Sequence, residues 1–344
     1  MWPQGPALLR RARAPAARLR AGRRHASSAA IAYQGVPGAF SEAAVTEYFA
    51  SKSTEAEAVG VPSFERVLEG VEAGDYAAGV LPIEDSITGS FHGVYDLLVA
   101  HPALHVVGEH AARTEHCLCA VPGVGLGAIS SVASNPEILR QCGGFLEALS
   151  AERRERGEAP LAWLPALNSA ECALELGSSQ AADAAVICSE AAAQLYGLSV
   201  VEGGDAIADS NVSTRYVVVS TTPAVLEVGE RMKVSIVFAL PNEPLALLKA
   251  ISVFALRDIN VSKIESRPAS ATGDQFATAY HWDYVFYMDL ELPARYGGVA
   301  ADGTLDSALA NLEEFSISVR ELGRYAQNLG PERAFKLSPS DTFR

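Results

Sequence analysis

Thr214 and Arg215 stand side by side where a polar Asp-Ser-Asn turn, residues 209–211, runs into the β-branched stretch "YVVVS". The pair sets a hydroxyl, which can pass a proton to a leaving group, beside a guanidinium, which grips a carboxylate through two parallel N–H bonds. A threonine suits the start of any strand. An arginine entering an apolar strand needs an anionic partner. Two kinds of partner answer: the carboxylate of a bound molecule, or one of the chain's own 41 acidic residues.

Other turns carry similar groups. "GVPGAFSEAA" (35–44) is a glycine-rich turn between a strand and a helix, where Gly35 permits a tight bend and Ser41 is a candidate helix cap. Free N–H groups at such a helix start receive carboxylates or phosphates; an ordinary βα turn reads the same way. "LPIEDSITGS" (81–90) ends an apolar strand in Glu84, Asp85 and Ser86. Strand ends of open α/β sheets are where ligands collect, so Ser86 is a candidate anion donor and Glu84 and Asp85 candidate ammonium acceptors, with helix capping the plainer alternative. Ser134 and Asn135 precede Pro136 in the same strand-to-helix setting, which capping explains fully. In "KIESRP" (263–268), Glu265, Ser266 and Arg267 suit either a rim that holds a zwitterion or an exposed strand edge. No Ser-His-Asp order, metal-ligand spacing or dinucleotide fingerprint is present, and no cofactor is implied.

The elements that must position these groups fall into two series. From Ile31 to about Ser220, short apolar strands alternate with helices, which predicts α/β layers around a mostly parallel sheet. From Lys233 the order becomes β-α-β-β-α-β, the split ferredoxin-like arrangement. A chain of 344 residues that is 49% hydrophobic can build more than one core. A net charge of −14 argues against a nucleic-acid partner, while leaving room for a small anion in a local pocket. No apolar run approaches the roughly 20 residues of a membrane span. Seven of the 27 basic residues, and none of the acidic ones, precede Ile31. That composition predicts an organelle transit peptide, plastid or mitochondrial. Cys117, Cys119, Cys142, Cys172 and Cys188 read as reduced, buried thiols.

These motifs together resemble the plastid-type prephenate/arogenate dehydratases. "AYQGVPGAFSEAA" is similar to the family's first catalytic motif, "LPIEDSITGSFHGVYDLL" to its Pro-Ile-Glu-Asn-Ser block, "STRYVVVS" to its Thr-Arg-Phe motif, and "KIESRP" to the Glu-Ser-Arg-Pro motif of its regulatory ACT domain. Four motifs in the family's order make the likeness specific. It implies a transit peptide (1–29), a two-lobed catalytic domain with a type II periplasmic-binding-protein-like fold (30–222), a βαββαβ ACT domain (232–327) and a tail (328–344). The implied reaction converts arogenate or prephenate, with loss of CO2 and water, to phenylalanine or phenylpyruvate. Phenylalanine is the implied effector, the assembly a homodimer or homotetramer, and the location the plastid stroma. A non-catalytic phenylalanine sensor of the same fold is the alternative.

The resemblance also implies roles. Thr214 gives a proton to the departing hydroxyl. Arg215 anchors a substrate carboxylate, with Tyr216 beside it in place of the family's Phe. Ser86, Glu84, Asp85, Ser134, Asn135, Asn211 and the Gly35–Ser41 turn complete the substrate site. Leu245, Ala246, Leu247, Glu265, Ser266, Arg267 and Pro268 form the effector site. Three positions depart from the pattern. Asp85 replaces the family's Asn, Asn211 lies one place further from the threonine than usual, and Leu245 replaces a glycine.

Overall fold

The computed structural model describes residues 29–207, 212–226, 231–269, 276, 283–292 and 303–328. Asn211 and nearly all of the expected transit peptide and tail lie outside these residues, while Ala29, the last residue of the expected peptide, already belongs to the first strand.

The chain begins a first lobe with β1 (Ala29–Gln34), α1 (Phe40–Ser51), β2 (Ala56–Val61), α2 (Phe64–Glu72), β3 (Ala78–Asp85), the short β4 (Gly89–Ser90), α3 (His92–Ala100) and β5 (His105–Arg113). It crosses into a second lobe made of β6 (Cys117–Ala120), β7 (Ser131–Ser134), α4 (Pro136–Gln141), α5 (Gly143–Glu155), β8 (Ala162–Pro165), α6 (Ser169–Ser179), β9 (Ala184–Cys188), α7 (Glu190–Leu195) and β10 (Ser199–Gly203). It then returns as β11 (Ser213–Ser220), which inserts between β3 and β5 in the first lobe's sheet, ordered β2-β1-β3-β11-β5.

Both lobe sheets are mixed, which corrects the mostly parallel expectation. β1 pairs in parallel with β2 and β3, but β11 runs antiparallel to both of its neighbours. In the second lobe β7 is parallel to β8 and β9, while β6 is antiparallel to β9 and β10. The reason is the double crossing between lobes. β5 leaves the first lobe and β11 re-enters it alongside, so the two are antiparallel partners over their whole length. The amide of Thr114 donates to the carbonyl of Val212 (2.7 Å), tying the outgoing and returning strands at the point of crossing.

The last unit contains β12 (Met232–Ala239), α8 (Ala246–Ala255), β13 (Asn260–Pro268), β14 (Tyr284–Glu291), α9 (Thr304–Glu313) and β15 (Ser318–Ala326), an antiparallel sheet ordered β13-β14-β12-β15. This is the expected βαββαβ fold. All eight residues of β12 are buried, because both faces are covered. Met232, Val234, Ile236 and Phe238 face α8 and α9. Val237 and Ala239 alternate onto the other face and pack with Leu98, Val217 and Val219 of the first lobe. The βαββαβ unit and the first lobe therefore share one core, and the unit's open face is a docking face.

Candidate functional site

A cavity of about 120 Å³ lies between the two lobes. The first lobe lines it with Gln34 at the end of β1, Ala39, Phe40 and Ser41 at the start of α1, and Pro82 and Phe91. The second lobe adds Asn135, Gln141, Asn168 and Ser169, and the crossing strands supply Thr114, His116, Thr214 and Tyr216. Thr214 and Tyr216 point the same way because strand side chains alternate. The Thr214 hydroxyl lies 2.9 Å from that of Thr114 in a buried pair. One hydroxyl of such a pair donates to the other, and the remaining O–H is free for a bound molecule. The Tyr216 phenol lies beside Ser41, and burial pushes its pKa up, so it stays protonated.

His116 is buried in the cavity wall and lies 2.6 Å from Gln141 Oε1 through Nε2. With a carbonyl oxygen as partner, Nε2 carries the proton and Nδ1 is left as a buried lone pair without a protein partner. Burial lowers the imidazole's pKa, which favours the neutral ring. Glu137 is the one carboxylate among the described lining residues, which include no Lys or Arg. The donors this cavity offers an anion are neutral: the side chains above and the first turn of α1, whose N-cap, Ala39, has no side-chain capping bond.

The two glycines of the turn do a different job from the helix start that follows them. The amide of Gly35 is spent on Val61 and that of Gly38 on the Glu42 carboxylate. Ser41 sits inside α1, not at its cap. The turn latches the lobes together instead. Ser189 and Tyr196 of the second lobe donate to the carbonyls of Gly38 (2.6 Å) and Pro37 (2.8 Å). A Cβ on Gly35 would stand 2.3 Å from Asn168 Nδ2, at a φ of +124 that side chains avoid. Gly35→Ala is expected to hold the lobes apart and reduce kcat/KM by roughly 100-fold; unchanged kcat/KM in steady-state assays would show that the latch is dispensable.

Several expected substrate contacts do not reach the cavity. Asp85 accepts the amides of Ile87 (2.7 Å) and Thr88 (2.5 Å) and the Thr88 hydroxyl, so it is consumed in building the β3–β4 turn. Ser86 accepts the amide of Ser213 (3.1 Å) and pins the start of β11. Ser134 donates to the carbonyl of Ile187 and is fully buried. Asn135 caps α4 and does line the cavity.

Arg215 points away, onto the opposite face of β11. It is bound by three carboxylates: Glu84 (2.6 Å), Glu109 (3.1 Å) and Asp289 (2.9 Å). Glu84 also receives Lys263, so it too faces the βαββαβ unit. The chain's own acids thus answer for this arginine. Burial disfavours charge on Glu84, yet Arg215 and Lys263 outweigh it and hold its carboxyl below the usual range. Asp289, enclosed on all sides, is held low against burial by Arg215, Lys233 and the Ser235 hydroxyl. Carboxyls with depressed folded-state values contribute stability that is complete at neutral pH and is lost as pH falls below about 4. Thermal melts from pH 7 to pH 3 should therefore lose Tm steeply at the acid end, and less steeply in Asp289→Asn. Equal acid slopes would contradict the assignment.

Comparison with known proteins bears on this arrangement. The family model for prephenate dehydratase matches residues 31–224. The chain belongs to the prephenate dehydratase family. It is 36% identical over 314 residues to arogenate dehydratase/prephenate dehydratase 6, chloroplastic, of Arabidopsis thaliana, covering 89% of this chain and 71% of that one. The structure of prephenate dehydratase from Arthrobacter aurescens in complex with L-Phe aligns with a TM-score of 0.69 at 28% identity, covering 87% of this chain and 90% of that one. GqqA, described as a novel type of quorum quenching acylase, aligns with a TM-score of 0.68 at 26% identity, covering 88% and 99%.

In this dehydratase-family chain the expected effector residues divide. Ala246 and Leu247 line a second pocket of about 220 Å³ with Leu240, Asp283, Tyr284 and Phe286. Ser266 and Pro268 pair across the sheet with Phe286 and Tyr284 of that pocket. Glu265 and Arg267 alternate to the docking face: Glu265 accepts from Ser90 (2.9 Å) and meets His92 (3.1 Å), and Arg267 forks onto Asp96. Leu245, in the glycine position of the family motif, holds a left-handed φ of 66 with its side chain largely in solvent. The substitution puts its strain into the backbone, and the side chain is not among those lining the pocket.

Sequence reasoning missed Thr114, Gln34, Gln141 and Asn168, and passed over His116. Asn168 carried a visible signal, since "NSAE" is a helix cap with Glu171 three residues on. Thr114 carried none, because its partner is 100 residues away.

Proposed function

We propose that the protein is an arogenate/prephenate dehydratase of phenylalanine biosynthesis acting in the plastid, with the reaction in the interlobe cavity. The observation that carries this reading is the Thr214–Thr114 hydroxyl pair facing that cavity, in a chain of the dehydratase family. In the reaction, the bond between the ring and its carboxylate breaks and CO2 departs. Its electron pair enters the ring and expels the hydroxyl at the far carbon. One proton turns that hydroxyl into water, and the ring becomes aromatic. The enzyme must orient the substrate and place one donor. Thr214 supplies the donor, backed by Thr114, and is a catalytic residue in this reading. The N-terminal turn of α1, with Ser41, and the amides of Gln34 and Asn168 receive the substrate's carboxylates without a cation. Two features suggest a non-catalytic sensor: Asp85, which is occupied by its own turn, and the displaced Asn211, which lies outside the described residues.

Phenylalanine is the proposed effector, binding at the pocket beside Ala246 and Leu247 in the ACT unit, and a homodimer or homotetramer is the proposed assembly. Plastid location accords with the arginine-rich leader and with the chloroplastic relative. The deciding experiment is parallel steady-state kinetics on arogenate and prephenate, with phenylalanine and phenylpyruvate measured as products. Formation of neither product by folded protein would overturn the reading.

A further inference from the structure

We propose that Arg215 is a positioning residue for Thr214, and that the βαββαβ unit completes its anchorage through Asp289. The inference deepens the dehydratase reading and rests on it for its catalytic consequence. Thr214 and Arg215 share one peptide unit and emerge on opposite faces of β11, so fixing one side chain fixes the backbone that carries the other. The backbone ladder is continuous here on the β5 side, but the pairing of β11 with β3 shifts register between Arg215 and Tyr216, which loosens the strand on that side.

Three strands hold the guanidinium. Glu84 comes from β3, Glu109 from β5 and Asp289 from β14. Each acid has a second partner on the βαββαβ unit: Glu84 has Lys263, Glu109 has Lys233 at 2.8 Å, and Asp289 has the Ser235 hydroxyl at 2.6 Å. The cluster therefore sets three cations against these three anions in a largely enclosed space, with Glu291 a fourth carboxylate 3.8 Å from Lys233 at its edge. A planar guanidinium with a carboxylate on each nitrogen cannot turn unless one of them moves. Every second partner, and one of the three anchors, belongs to the unit that carries the effector pocket. A shift of that unit against the first lobe is transmitted to Arg215, and through the shared peptide to Thr214.

The test compares Asp289→Asn with Arg320→Met. Arg320 bridges the same interface elsewhere, donating to the carbonyls of Val99 (2.7 Å) and His101 (3.1 Å) at the end of α3. Asp289→Asn is expected to lower kcat about tenfold with KM unchanged, and to speed amide hydrogen exchange in the peptide covering 213–220. Arg320→Met is expected to lower Tm while leaving kcat and that exchange at wild-type values. Wild-type kcat and exchange in Asp289→Asn, or the same losses in Arg320→Met, would overturn the proposal. If Asp289→Asn does not fold, Ser235→Ala replaces it, with the same direction expected in both readouts and no change in either counting against the proposal. Exchange is read without substrate, so a wild-type protein with no turnover refutes the dehydratase reading while the anchorage is still decided.

Discussion

Thr214→Ala is expected to lower kcat by roughly 1,000-fold while changing KM little, the range set by losing a positioned proton donor. The argument starts from what the cavity lacks. Its described wall holds no Lys or Arg and one carboxylate, Glu137, which is paired with Arg140. His116 donates through Nε2 to Gln141, and its other nitrogen is an acceptor. The hydroxyls of Thr114 and Thr214 form the donor pair on the crossing strands, and alanine removes one member and leaves the other without its partner. In the proposed reading substrate binding falls mainly to the start of α1 and to the amide side chains, which the substitution does not touch. The two kinetic constants should therefore separate. Thr214→Ser keeps the hydroxyl but loses the methyl that fixes its rotamer, and should recover most of kcat. Thr114→Val should fall between, since Thr214 then loses its partner but keeps its own O–H. A Thr214→Ala enzyme with wild-type kcat would refute the donor role. One with a raised KM and unchanged kcat would make Thr214 a binding residue.

That site was only half legible in the sequence, and particular residues show why. The βαββαβ order could be read because its strands alternate cleanly and its helices lie between them. The direction of the lobe sheets could not, because it depends on where β6 and β11 join their sheets after each crossing between lobes. β8 and β10 are four and five residues long, too short for periodicity to announce them. For Thr214 and Arg215 the decisive fact was present: adjacent strand residues face opposite ways. The sequence did not say that β11 is covered on both faces, by the cavity on one side and by the βαββαβ unit on the other. An arginine at the mouth of a strand reads as a ligand for substrate when only one covered face is imagined. Asp85 was misread similarly. Its spacing to Thr88 and Gly89 signals a self-bonded turn, but its place in a catalytic motif drew it toward the ligand.

Arg215→Lys is expected to cost about 3–5 kcal/mol of stability, the penalty for stranding a buried charge, and to lower kcat with KM nearly unchanged. Lysine keeps the charge but replaces a planar fork with one ammonium on a flexible stem. It cannot meet carboxylates that approach from β3, β5 and β14. The loss does not fall evenly. Glu84 retains Lys263 and Glu109 retains Lys233, so Asp289 bears it, left with the Ser235 hydroxyl as its direct partner in the cluster. Adding Asp289→Asn to Arg215→Lys should therefore recover part of the stability, because the stranded anion becomes a neutral amide. Urea denaturation of wild type, both single variants and the double closes a cycle whose interaction energy isolates the pair. A strongly non-additive cycle, with the double more stable than Arg215→Lys alone, is the expected result. An additive cycle, together with a raised KM in Arg215→Lys, would return Arg215 to the substrate and require a different orientation of the strand.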